Sequence, residues 1–167
     1  MNIPTRILAP ALSILLAVTP LAGATAHALP QNDDESAYLA TIDALFTQTF
    51  TILSDCKAYA VSQDQQAQCV VDGYIELKST WDGVPVPTRS KYIDGAFGRY
   101  LKNSISNFHI LNTLVAETAG GDGTYDPKTV LADLDRQQRY SAASSAGMKE
   151  FFSAFANEAG YTPGHST

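Results

Sequence analysis

The sequence predicts an all-α protein, an antiparallel up-down four-helix bundle with one disulfide across its first helical hairpin. Three observations carry that prediction. Apolar residues recur at steps of three and four in four separate segments, which is the period of one face of an α-helix. Helix-breaking stretches divide those segments, and the connections are short enough to make successive helices antiparallel neighbours. Finally, the only two cysteines in the 167 residues stand at nearly equal distances on either side of the first turn.

The first 28 residues are set apart from the rest. They carry one charge, Arg6, then an apolar run from Ile7 to Val18, then small residues ending in Ala26-His27-Ala28. This is the pattern of a secretory signal peptide cleaved after Ala28. A transmembrane reading fails, because about a dozen apolar residues fall short of the roughly 20 needed to span a bilayer. Residues 29–167 then form a single helical domain, exported to the periplasm or the extracellular space, with a loose tail at 160–167. Losing Arg6 with the leader leaves ten Lys and Arg against 17 Asp and Glu, and that acidic balance argues against nucleic acid as a partner. No later stretch is apolar over membrane length, so no integral membrane segment is expected after cleavage.

In the first mature segment Leu39, Ile42, Leu45, Phe46, Phe50, Leu53 and Cys56 define one apolar face. Asn32, Asp33, Asp34 and Glu35 precede it, offering cap oxygens and negative charge at the positive end of the helix dipole. This helix is expected to reach about Val61. Ser62-Gln63-Asp64-Gln65 has the form of a capping box and opens the second helix, whose apolar positions are Cys69, Val70, Tyr74, Leu77 and Trp81. Gly73 weakens its middle, and Asp82 to Pro87 (DGVPVP) ends it.

The third helix begins near Thr88 or Ser90 and presents Ile93, Phe97, Tyr100, Leu101, Ser104, Phe108, Leu111 and Val115, then dissolves into AGGDG at 119–123. Asp126-Pro127 supplies a cap and a first-turn proline for the fourth, with Val130, Leu131, Leu134, Met148, Phe151, Phe152 and Phe155 at helical spacing. Whether Ser141 to Gly147 (SAASSAG) divides that helix is left open by the sequence.

Cys56 lies six residues before Ser62 and Cys69 seven after, so the two stand level on facing helices, and an oxidising compartment would join them. A redox centre would show Cys-x-x-Cys, and a zinc site needs three or four ligands where the mature chain adds only His109 and His165.

The remaining chemistry is sparse. No Ser or Cys stands in a nucleophile motif, and Asp133 and Asp135 point to different sides of one helix. Gly121 to Asp126 lacks the alternating acids and closing Glu of a calcium loop. No Cys-x-x-Cys-His is present for covalent haem, and His109 and Met148 fall at different heights on their helices. The sequence therefore predicts no catalytic residues, no metal and no cofactor.

Residues 69–118 contain, in order, Cys69, Gly73-Tyr74-Ile75, Val86-Pro87, Tyr100-Leu101 and Leu114-Val115-Ala116. This order resembles the small periplasmic immunity proteins that neutralise type VI secreted peptidoglycan amidases. It covers about a third of the mature chain. The resemblance implies an all-helical protein that blocks an effector by binding it.

A separate feature also points to a protein partner. At 100° per residue, Lys91, Gly95, Gly98, Lys102, Ser106, His109 and Thr113 fall on one stripe of the third helix, opposite its apolar face. The expected function is non-catalytic binding of a protein partner through Lys91, Gly95, Gly98, Lys102, Ser106 and His109. An extracytoplasmic carrier of an apolar small molecule is the alternative, motivated by one Trp, eight Tyr and seven Phe, and a structural envelope protein is a third. The oligomeric state is not encoded in any feature of the chain.

Overall fold

The computed structural model describes residues 33–60, 62–119 and 126–164. Residues 1–28, where a signal peptide is expected, the glycine-rich connection at 120–125 and residues 165–167 lie outside the described residues. Four helices follow one another: α1 (Asp33–Tyr59), α2 (Gln63–Asp82), α3 (Lys91–Ala119) and α4 (Pro127–Ala159), with no strand among the described residues. The fold is the all-α bundle that the apolar periodicity predicts.

The helix ends follow from local chemistry. Asp33, Asp34 and Glu35 occupy the first turn of α1, where the dipole favours negative charge. Ser62 caps α2, yet its side chain makes no capping bond, so the expected capping box is not formed on that side. The Ser62 hydroxyl donates instead to Asp64, which holds that carboxyl below its usual range. After Asp82 the chain turns through Gly83 and the two prolines, and Ser90 opens α3 by accepting the Asp94 amide at 2.9 Å. Asp126 accepts from the Lys128 amide at 3.1 Å and from the Thr129 hydroxyl at 2.9 Å, with Pro127 behind it.

Residues 141–147 do not break α4, which runs unbroken to Ala159. The small residues there serve the contact with α3. Ser144 and Ser104 share a hydrogen bond of 2.7 Å, and a Cβ on Gly147 would stand 3.0 Å from the Tyr100 backbone nitrogen. The backbones therefore meet with no side chain between them.

Helix direction alternates, because one end of the bundle gathers the start of α1, the end of α2, the start of α3 and the end of α4. There Asp94 Oδ1 accepts from the Tyr38 hydroxyl and from Trp81 Nε1, both at 2.8 Å. Ser90 beside it donates to Glu158 at 2.9 Å. The core between the ends is aromatic. Phe46 and Phe97 stack on Phe151 at centroid distances of 5.1 and 5.2 Å, so α1 meets α4 largely through rings.

Cys56 and Cys69 are joined, with their Cα atoms 5.6 Å apart. That is closer than helix axes usually pack, at about 8 to 10 Å. One turn further along, Gly73 makes room for this approach: a Cβ there would sit 2.7 Å from Ile52 Cγ2. The glycine that weakened the helix locally is what lets α2 lie against α1.

The tail expected to be loose is docked as far as Gly164. Gly160 ends α4 in a left-handed conformation, Tyr161 packs on Phe155 at 5.3 Å, and Pro163 is buried. The Gly164 amide donates to the buried Asp43 carboxylate. A buried carboxylate needs such a donor, and the tail supplies it.

Candidate protein-docking face

The face in question is the outer side of α3. Its inner side carries Ile93, Ala96, Phe97, Tyr100, Leu101, Ser104, Phe108 and Leu111, all buried. With 3.6 residues per turn, those positions turn Lys91, Lys102, His109 and Thr113 outward, and all four are exposed. Along the axis Lys91 and Lys102 are about 16 Å apart, and His109 stands about 10 Å further on. Gly95 and Ser106 lie between them, half-buried.

Gly98 is not part of this open surface. A Cβ placed on it would meet Trp81 Cη2 at 2.6 Å, so the indole at the end of α2 covers it. The helical wheel of α3 alone put Gly98 outside; a side chain from the neighbouring helix puts it under cover. Gly95 remains open, since its added Cβ would reach only the Arg99 guanidinium, at 3.4 Å.

The arginines and the lysines of the described residues differ in their pairing. Arg89 lies against Glu35, Arg99 against Glu150, Arg136 against Asp133, Arg139 against Asp135 and Lys78 against Asp82. Lys91 and Lys102 have no ion pair among the described residues. Between Lys91 and Thr113 the one carboxylate of α3 is Asp94, and it is turned inward to Tyr38 and Trp81. Lys57, Lys128 and Lys149 are also unpaired there, but they are scattered over α1 and α4.

Two residues that the stripe did not include border it. Tyr92 is 62% exposed, yet its hydroxyl donates to Glu150 Oε1 at 2.9 Å. Arg99 donates to the same carboxylate from Nε at 3.1 Å and from Nη2 at 2.5 Å. Those bonds from Arg99, and then the bond from Tyr92, hold the Glu150 carboxyl below its usual range. The arrangement fixes an exposed aromatic ring beside the cationic line. Its partner is some fifty residues away in sequence, so only the exposed position of Tyr92 next to Lys91 could have pointed to it.

Among the described residues no group of three or more His, Cys, Asp and Glu is placed to hold a metal ion. No helix among them is long and apolar enough to cross a membrane. No family model, curated protein or solved structure matches this chain.

Proposed function

We propose that this is an exported helical protein that acts by non-catalytic binding of a protein partner, as an inhibitor or immunity-like protein does, and that the outer face of α3 is its docking surface. The observation that carries the reading is the line of Lys91, Lys102 and His109, exposed and with no ion pair to a carboxylate among the described residues. The arginines of the described residues, by contrast, are matched with carboxylates of the chain itself. The Cys56–Cys69 bond supports export, since such bonds persist in oxidising compartments. The aromatic residues that would line a carrier's cavity are largely packed against one another, as Phe46, Phe97 and Phe151 show, so the binding reading is preferred to the carrier.

A photo-crosslinking residue placed at Lys102 tests this in an envelope extract, with the same residue at exposed Gln48 on α1 as the control. A discrete protein adduct from position 102, absent from position 48, is expected. No adduct from 102, or the same adducts from both, would contradict the proposal.

A further inference from the structure

We infer that Tyr161–Gly164 is a strap that closes the seam between α1 and α4, latched by Asp43, and that it opens and closes while the bundle stays folded. The strap belongs to α1 and α4, and nothing about it depends on the docking reading of α3.

α1 and α4 are the first and last helices, so no connection joins them, and they meet through rings, Phe46 against Phe151 and Phe152 at 5.1 Å each. The strap crosses that meeting line. It leaves α4 at Gly160, whose φ of 79° turns the chain out of the helix. Tyr161 then sets its ring nearly perpendicular to Phe155, at 82° and 5.3 Å. Pro163 is buried, and the Gly164 amide donates to Asp43 Oδ1 on α1. Gly164 also lies beside Phe46, since a Cβ on it would stand 3.9 Å from that ring. Four extended residues reach about 13 Å, against about 8 to 10 Å between packed helix axes, so the segment spans the seam with little to spare.

Two opposing features make this a latch. Asp43 is only 2% exposed, and a buried carboxylate needs a donor. A hydrogen bond to an ionised acceptor is about twice as strong as a neutral one, so the closed position is favoured. Opening does not strand the charge, however, because water replaces the amide once the segment lifts. The rest of the strap is lightly held: Tyr161 is 38% exposed, and Thr162 and Gly164 are exposed as well. Segments with few buried contacts open well before the whole molecule unfolds. Closed, the strap keeps water from Phe46 and Phe155, and open, it leaves those rings and the Asp43 carboxylate accessible in one seam.

The test uses the full chain, isotopically labelled, with two variants that cut the latch from its two ends. Asp43→Asn removes the charge, and Gly164→Pro removes the amide donor. In the parent, the Gly164 amide is expected to exchange with solvent more slowly than an open chain and faster than the core amides of Phe97 and Phe151. In Asp43→Asn that exchange should rise at least ~10-fold while the core amides keep their protection. In Gly164→Pro the ring signals of Tyr161 should move to open-chain positions with the helix content unchanged by circular dichroism. Open-chain exchange of Gly164 in the parent would overturn the strap. Exchange only in step with the core, or lost core protection in either variant, would make the segment a fixed part of the fold and overturn its opening. An unchanged Gly164 rate in Asp43→Asn, or unmoved Tyr161 signals in Gly164→Pro, would overturn the latch.

Discussion

Gly98 shows how one residue changes meaning between a helical wheel and a bundle. On the wheel it is an outward glycine, where Ala would add about 1 kcal/mol of helix propensity. In the bundle its missing Cβ is the space that the Trp81 ring occupies, 2.6 Å from where the methyl would be. Overpacking of this kind costs roughly 1 to 3 kcal/mol, so Gly98→Ala is expected to lower stability despite the better propensity. Thermal unfolding and the fluorescence of Trp81, the single tryptophan, read the effect. An unchanged melting temperature and an unchanged spectrum would show that the indole does not cover the glycine.

The buried tyrosines give a prediction of pH dependence. Burial, and then the bond to Asp94, push the Tyr38 phenol far above its ordinary value of 10.0. Burial likewise raises Tyr74 and Tyr100, which meet around Thr49 in the middle of the core. A phenol whose folded-state pKa is raised contributes stability that is fully present below its unfolded value and is lost as the pH climbs above it. From neutral pH the unfolding midpoint should therefore be flat up to about pH 10 and fall beyond it. In a spectroscopic alkaline titration these three phenols should ionise only as the chain unfolds. Ionisation of all described tyrosines in one early step, with the helix content intact, would contradict their burial.

Among the elements, α4 was the one whose continuity could not be read from sequence. Ser, Ala and Gly over residues 141–147 serve equally as a break in a helix or as the smooth side of a helix contact, and local composition does not separate the two. The α3 contact decides it. Gly147→Ala is expected to destabilise the protein by about 1 to 3 kcal/mol, because its Cβ would meet Tyr100 backbone atoms at 3.0 and 3.2 Å, and backbone yields less readily than a side chain. Chemical denaturation measures this, and an Ala variant as stable as the parent would mean that α3 and α4 can separate there without cost. The first helix was legible because its signals are local, an acidic first turn and a repeating apolar face. The docked tail was not, since the bond from Gly164 to Asp43 spans 121 residues and nothing near either end announces it. The Ser62 side of the box did not form for a third reason, in that its hydroxyl is turned to Asp64.

For the molecule as a whole, apolar periodicity and cysteine placement were enough to give four helices and a bonded first hairpin, because both depend only on helical rise and angle. The docking face was only partly legible. Lys91, Lys102 and His109 lie where the wheel of α3 puts them, but Gly98 is covered from α2, and Tyr92 and Arg99 are organised by Glu150 from α4. Contacts from other helices decide which part of an outer face is available, and a single helix's sequence does not contain them. The central claim is that this face binds a protein partner. It is tested most directly by capturing envelope protein on the parent chain and on Lys91→Glu/Lys102→Glu, at about 50 and about 300 mM salt, with circular dichroism to confirm that both are folded. The account predicts a discrete partner held by the parent and lost from the reversed chain, with the difference largest at low salt; a partner held equally by both folded proteins at both salt concentrations would contradict it.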